Sequence, residues 1–130
     1  MTTRNKKLMI VDDEPLFQEL MQDIFRKMDI AITSAYNGHE ALAQPEHDLY
    51  VLDLGMPGLD GISTLCALQE QFDRQVPAIL ITGYDISSLE YLKDEHGISA
   101  ILQKPFDVDS LKILIEDHFS NARPMNFCSE

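Results

Sequence analysis

Apolar stretches of strand length alternate with longer amphipathic stretches along this chain. Five short segments are rich in aliphatic residues and are bounded by polar or turn-forming residues, which predicts β-strands. They cover residues 8–11, 31–35, 49–52, 76–81 and 100–102. The first, third and fourth are almost continuously apolar, as strands buried on both faces require. Thr33 and Ser34 make the second more polar, which suits an edge strand.

Helical periodicity occupies the intervals between the strands. Apolar residues recur there at spacings of three and four, the pattern of a helix with one buried face. The predicted helices cover residues 16–28, 38–44, 62–72, 86–96 and 108–119. Pro15 is tolerated in the first turn of the first helix, whereas Pro45 stops the second. The patterns of the second and fourth helices are the weakest.

Strands that alternate with helices predict a parallel sheet covered on both faces, because each right-handed crossover lays a helix over the sheet. The expected fold class is therefore α/β, a three-layer sandwich around a five-stranded parallel sheet. A chain of 130 residues with 45% hydrophobic content is large enough for one such core without disulfide or metal staples. One domain is expected.

Charge and composition exclude several classes of partner. A formal net charge of -12 opposes binding to the phosphates of nucleic acid. No apolar run approaches the roughly 20 residues that cross a membrane. Cys66 and Cys128 lack metal-type or redox-type spacing, and Cys66 falls on the apolar side of its predicted helix, where we expect it in the core. A cytoplasmic protein is expected.

Polar groups stand at the carboxyl ends of four predicted strands. Asp12 and Asp13 follow the first strand, Asp53 the third, Thr82 the fourth and Lys104 the fifth. In an open parallel sheet these ends share one edge, which is where ligands bind. Three carboxylates, a hydroxyl and an ammonium are therefore predicted to meet in one crevice.

This set of groups predicts a magnesium-dependent phosphoryl transfer site. Crowded carboxylates repel one another unless a cation lies among them. Oxygen ligands without nearby His or Cys favour a hard ion such as Mg²⁺ over zinc, and the four histidines of the chain are predicted to be solvated or capping residues. Phosphoryl transfer needs positioning and charge neutralisation, with a carboxylate as nucleophile. Asp53 is the candidate nucleophile.

Four short motifs carry a resemblance to a known family. They are VDDEP at residues 11–15, DLGMPGLDG at 53–61, ITG at 81–83 and KPF at 104–106. In these motifs the chain resembles the CheY-like receiver domains of two-component response regulators, over residues 6–119. The resemblance implies a flavodoxin-like sheet with strand order 2-1-3-4-5 and a cis peptide between Lys104 and Pro105.

The resemblance also implies a role for each matching residue. Asp53 would accept the phosphoryl group, and Thr82 and Lys104 would bind its oxygens. The implied ligands of Mg²⁺, for which Mn²⁺ can substitute, are Asp12, Asp13, Asp53 and the main-chain carbonyl of Gly55. The phosphoryl group would come from a histidine kinase or a phosphotransfer protein. The output would be control of an effector domain or a separate partner protein, rather than enzymatic turnover.

The chain departs from the family pattern at three places. Ile101 stands where an aromatic switch residue is usual, so we expect Thr82 and Ile101 to form a switch of altered output. Positions that set the phosphoryl lifetime hold Gly55 and Tyr84, and we expect the Tyr84 ring to shield the phosphoryl group from water. The segment between residues 42 and 53 is shorter than usual by about three residues, roughly one helical turn. We therefore predict a second helix that ends near Pro45.

The residues leave alternatives open. Asp12 and Asp13 alone are also explained as caps of the first helix. One alternative is an aspartyl phosphatase of related fold, but such an enzyme would need a second Asp two residues after Asp53, where Gly55 stands. Another is a flavin-binding protein, but the acidic loops after the first and third strands would repel the phosphate of a flavin. We assign residues 1–120 to the receiver domain. Residues 121–130 form a polar tail or the start of a linker, which favours a piece of a longer regulator over a free-standing receiver.

Overall fold

The described residues form five strands and four helices. The computed structural model describes residues 6–56, 60–83, 87, 89 and 98–121. The strands are β1 (Lys6–Val11), β2 (Ile30–Ala35), β3 (Leu49–Asp53), β4 (Ala78–Thr82) and β5 (Ile98–Gln103). The helices are α1 (Pro15–Phe25), α2 (Gly38–Leu42), α3 (Gly61–Phe72) and α4 (Val108–Asn121). The helix predicted over residues 86–96 falls outside the described residues except for 87 and 89.

All strand pairs are parallel, and the sheet has the order β2-β1-β3-β4-β5. This confirms the predicted fold class and strand order. β2 lies at one edge, as the polar Thr33 and Ser34 predict, and its residues are less buried than those of β3 and β4. The fully buried strands are the near-continuous apolar runs, because a central strand of a covered sheet contacts helices on both faces.

Two apolar clusters, one on each face of the sheet, form the core. Side chains of β1, β3 and β4 on one face pack against Met21 and Phe25 of α1 and Leu111 and Ile115 of α4. The opposite face packs against α2 and α3. Complete burial of one such large apolar side chain contributes roughly 1.5–3 kcal/mol. The three-layer sandwich predicted from the sequence is therefore confirmed.

The second helix is as short as predicted. α2 has five residues and ends at Leu42, three residues before Pro45. Its N-terminus is capped by Asn37, whose side-chain oxygen accepts the Glu40 N–H over 2.8 Å. A helix of this length relies on tertiary packing for its stability, and here Ala41 is fully buried against the sheet.

Two side chains lie elsewhere than the sequence predicts. Cys66 is exposed, so the prediction of a core cysteine was wrong: α3 turns Leu65 and Leu68 toward the sheet instead. His47 is buried rather than solvated. Its Nδ1 lies 2.7 Å from the Pro45 carbonyl and its Nε2 lies 2.9 Å from the Thr33 hydroxyl. Because the carbonyl can only accept, Nδ1 carries the hydrogen, and burial lowers the pKa of this imidazole.

Candidate functional site

The site lies at the carboxyl edge of the sheet, where four strand ends meet. Asp12 follows β1, Asp53 is the last residue of β3, and Thr82 is the last residue of β4. The register pairs Asp53 with Ile81, and Thr82 with Gln103 of β5, immediately before Lys104. The parallel register thus brings groups from distant parts of the chain to one place, as the strand-end pattern predicts.

Three carboxylates form a cluster at this edge. Asp12, Asp13 and Asp53 each offer one oxygen, and these oxygens all lie within 4.8 Å of one another. Asp12 and Asp53 are only 3% and 4% exposed, whereas Asp13 is exposed. Two buried acids beside a third require compensation by a cation, since buried charges are otherwise costly.

The crowding of these acids affects the pKa of the Asp12 carboxyl group. Burial raises the pKa of Asp12 to about 6, and the charges of Asp53 and Asp13 act in the same direction. The Glu14 N–H, which donates to Asp12 Oδ1 over 2.9 Å, opposes the rise, as does the Lys104 ammonium. A divalent cation among the three acids would remove the repulsion that remains.

The donor set fits Mg²⁺. All three side chains offer hard carboxylate oxygens, and a small number of carboxylates completed by water is what Mg²⁺ accepts. Across the described ranges, this is the one group of three acidic, His or Cys side chains close enough together to hold a metal ion. The sequence prediction of an oxygen-only site at Asp12, Asp13 and Asp53 therefore agrees with the geometry of the donors.

Both oxygens of Asp53 have polar contacts. Oδ1 accepts the Gly55 N–H over 3.1 Å, and Oδ2 lies 3.4 Å from the Lys104 ammonium. The Lys104 main-chain N–H donates to the Thr82 carbonyl over 2.6 Å, which anchors the lysine next to the end of β4. The peptide between Lys104 and Pro105 is cis, as expected. A carboxylate held in this way presents a defined oxygen pair beside a cation.

The expected switch pair lies on one face of the sheet. Thr82 is fully buried, two residues after Leu80 on the same strand, and alternation places both side chains on the α3 face. Ile101, paired with Leu80, belongs to the apolar cluster on that same face. Tyr84, the expected shield of the phosphoryl group, lies outside the described residues.

Sequence reasoning missed two residues that shape the site. A Cβ atom on Gly61 would lie 2.8 Å from the Asp53 carbonyl oxygen, so α3 can start this close to the end of β3 only with glycine there. Gln18 is buried in α1 on the same stripe as Met21 and Phe25. A polar residue on a buried helical stripe is the sequence signal that would have identified Gln18.

A doubly wound sheet with a magnesium-type acid cluster, a threonine and a lysine at its carboxyl edge defines a class of phosphoryl-accepting signalling domain. Comparison with protein families gives the same result. The model of the response regulator receiver domain matches residues 8–116, and the chain belongs to this family.

Relatives with known names extend the comparison. The chain is 33% identical over 106 residues to the transcriptional regulatory protein ResD of Bacillus subtilis, a match that covers 79% of this chain. It spans only 43% of the length of ResD. Sporulation initiation phosphotransferase F of B. subtilis is 30% identical over 100 residues, covering 75% of this chain and 78% of that protein.

A solved structure of a response regulator shows the same architecture. The response regulator TrrA of Thermotoga maritima, crystallised in complex with Mg²⁺ and BeF, superposes with a TM-score of 0.71 at 28% identity. The match covers 86% of this chain and 97% of that one.

In the described part of this chain, no helix has the length and apolar character needed to span a membrane.

Proposed function

We propose that this chain accepts a phosphoryl group on Asp53 in a Mg²⁺-dependent reaction and passes the signal on by a change of conformation. The observation that carries the proposal is the environment of Asp53. Its buried carboxylate lies beside the carboxylates of Asp12 and Asp13 and 3.4 Å from the Lys104 ammonium. A carboxylate with a purely structural role needs neither the two neighbouring acids nor the lysine. A phosphoacceptor needs the acids as metal ligands and the lysine as a cation.

Transfer of the phosphoryl group to Asp53 requires only the phosphodonor and no oxidant. One Asp53 oxygen forms a bond to phosphorus while the bond from phosphorus to the donor breaks. When the donor is a phosphohistidine, the electron pair of the broken bond stays on the imidazole nitrogen, which then takes a proton from solvent. Hydrolysis later returns the carboxylate, as water attacks the phosphorus and inorganic phosphate leaves.

The surrounding residues supply charge and hydrogen bonds. Asp12, Asp13, Asp53 and the Gly55 carbonyl would hold Mg²⁺, for which Mn²⁺ would substitute. When bound, the metal would neutralise charge on the phosphoryl oxygens. Lys104, already beside Asp53, would bind one of these oxygens through its ammonium, and the Thr82 hydroxyl would bind another.

The response of the fold is assigned to the residues behind Thr82. Movement of the Thr82 hydroxyl toward the phosphoryl group would leave space on the α3 face of the sheet, into which Ile101 would repack. A switch requires two packings of similar energy that the phosphoryl group discriminates. Gly55 and Tyr84 would set how easily water reaches the phosphorus. The Cβ position of Gly55 lies 3.8 Å from Asp53 Oδ1, an ordinary van der Waals distance.

The wider role follows from this chemistry. The phosphoryl group would come from a histidine kinase or phosphotransfer protein in the cytoplasm. The output would be an effector domain in a longer chain or a separate protein. Residues 1–120 would form the receiver domain and residues 121–130 its tail or linker. The acidic net charge of -12 favours protein partners over direct contact with nucleic acid or with anionic membrane surfaces.

The test is incubation with Mg²⁺ and a small phosphodonor, followed by intact-mass measurement. Wild type should gain the mass of one phosphoryl group, and Asp53→Asn should gain none. Asp29→Asn removes an exposed turn carboxylate and is the matched control, which should be labelled like wild type. Equal labelling of Asp53→Asn and wild type would contradict the proposal, as would labelling of wild type in excess EDTA at the Mg²⁺-supported rate.

A further inference from the structure

The Gln18 side chain of α1 lies across the carboxyl ends of β1 and β2. Its Nε2 lies 2.9 Å from the Ile10 carbonyl oxygen, 3.0 Å from that of Asp12 and 2.9 Å from that of Ala35. The side chain is 1% exposed. Because a primary amide has two hydrogens, three main-chain acceptors share both of them. The nitrogen end of this amide is therefore fully engaged with the two strand ends.

The orientation of the amide is determined by these contacts. Within the described part of the chain, Gln18 Oε1 is buried and has no hydrogen-bond partner. Turning the amide by 180° would place Oε1 against three carbonyl oxygens and would lose all three contacts. The fold thus leaves one acceptor unsatisfied, which is unfavourable, and keeps the nitrogen on the strand ends.

These contacts hold the peptide group between Asp12 and Asp13. The Asp12 N–H donates to the Ala35 carbonyl over 3.0 Å, so the residue is fixed on its amino side by β2. Its carbonyl, on the side of Asp13, accepts from Gln18. That planar group includes the Cα atoms of both residues, so holding it fixes the points from which the two carboxylates extend.

We infer that Gln18 is a positioning residue for the magnesium site, because it fixes the peptide between Asp12 and Asp13 and so the placement of their carboxylates. The inference rests on the proposed function, since it takes both acids as metal ligands. Gln18 itself would touch neither the metal nor the phosphoryl group. Residues that orient metal ligands are a regular part of metal sites.

A neighbouring glutamine provides a control for a purely structural role. Gln22, one turn further along α1, donates from Nε2 to the Ser34 hydroxyl over 2.9 Å. It therefore ties the same helix to the same strand through a bond that does not involve Asp12. If Gln18 served only to attach α1 to β2, removal of either amide would affect the site similarly.

The experiment compares Gln18→Met with Gln22→Met in the full chain, since methionine keeps the length of the side chain and removes the donors. Mg²⁺ is titrated alone, without phosphodonor, and binding is followed by the amide NMR resonances of Asp12, Asp13 and Asp53. We expect Gln18→Met to weaken Mg²⁺ binding by about tenfold, the lower end for residues that orient ligands. Gln22→Met should bind Mg²⁺ like wild type.

The outcomes separate this inference from the proposed function. If wild type shows no Mg²⁺-dependent shifts at the three acids, the proposed function fails. If wild type binds Mg²⁺ and Gln18→Met binds it equally well, only the positioning role is overturned. Equal weakening in both variants overturns it too, since the effect would then belong to the attachment of α1.

A measurement on wild type keeps the inference testable if Gln18→Met does not fold. The side-chain NH₂ resonances of Gln18 should shift on addition of Mg²⁺ in parallel with the Asp12 and Asp13 amides, because the shared peptide responds to the bound ion. Those of Gln22 should not follow. Gln18 resonances that stay unchanged through saturation would contradict the positioning role.

Discussion

Lys104 Nζ lies 3.4 Å from Asp53 Oδ2, although the two residues are 51 positions apart in the chain. The contact joins the ends of β3 and β5, which are not neighbours, because β4 lies between them. The lysine can reach across because its main chain is bonded to the last residue of β4, Thr82. The ammonium is partly exposed while the carboxylate is buried, so the cation can exchange its contact with Asp53 for one with an arriving phosphoryl oxygen.

Lys104→Met should slow phosphorylation of Asp53 by a small donor by about a hundredfold, because it removes the side-chain cation that meets the phosphoryl oxygens. The free energy of unfolding should also fall, because the buried Asp53 carboxylate loses its neighbouring cation. Initial rates from intact-mass time courses check the prediction. Lys6→Met, at the opposite edge of the sheet, is the charge-matched control, and a Lys104→Met rate equal to its rate would contradict the role of Lys104.

The raised pKa of Asp12 predicts a pH-dependent stability in metal-free solution. Since the pKa is about 6 in the folded protein and 3.8 ordinarily, the folded state binds the proton more tightly than the unfolded state. The stabilisation is therefore present at low pH and is lost as the pH rises through 6, by at most roughly 3 kcal/mol. Asp12→Asn removes this titration, so its stability advantage over wild type should grow between pH 4.5 and pH 7.5. Urea unfolding with EDTA measures it, and a pH-independent difference would refute the prediction.

Mg²⁺ should stabilise the folded protein by binding to it and not to the unfolded chain. At a concentration about 100 times the Kd, the gain is about 2.7 kcal/mol. Asp12→Asn and Asp13→Asn should each lose most of this gain, whereas Asp29→Asn should keep it. Urea unfolding at constant ionic strength separates binding from charge screening. Equal stabilisation of all four proteins by Mg²⁺ would place the ion elsewhere.

Gly61→Ala should destabilise the protein and impair phosphorylation together. The new methyl group would lie 2.8 Å from the Asp53 carbonyl oxygen, and relief of such crowding typically costs about 1–3 kcal/mol. The shift would occur in the residue that carries the acceptor carboxylate. Gly83→Ala is the control, because among the described residues no atom beyond its chain neighbours lies within 4 Å of its Cβ position. Urea midpoints and phosphorylation rates that are equal in the two variants would contradict this prediction.

The architecture was predictable because the signals that define it are local. Continuous apolar runs identified β1, β3 and β4, and polar residues identified β2 as an edge. Strand limits shifted by one or two residues: the fourth strand was predicted over 76–81 and spans Ala78–Thr82, while the fifth spans Ile98–Gln103 rather than 100–102. Hydrogen bonding between neighbouring strands decides these limits, and periodicity within one segment does not contain that information.

The acids, threonine and lysine of the site were predictable because strand ends in a parallel sheet share an edge. The supporting residues were not, since their importance arises from contacts between distant segments. Gln18 depends on three carbonyls of β1 and β2, and Gly61 on the closeness of Asp53. The burial of His47 depends in the same way on Thr33 of the edge strand. The spacing of residues along the chain does not show which distant segments these three residues contact in the folded protein.

The division of the core by the sheet has a consequence for how a modified Asp53 would be detected. Thr82 and Ile101 both face the layer of α2 and α3, and the side chains beneath α1 and α4 are separated from them by the full thickness of the strands. Displacements that start at Thr82 are therefore expected to reach the surface on the α2–α3 side first. The surface on the α2–α3 side would then change shape each time Asp53 is modified. The surface on the α1–α4 side would present the same shape to a partner protein in both states.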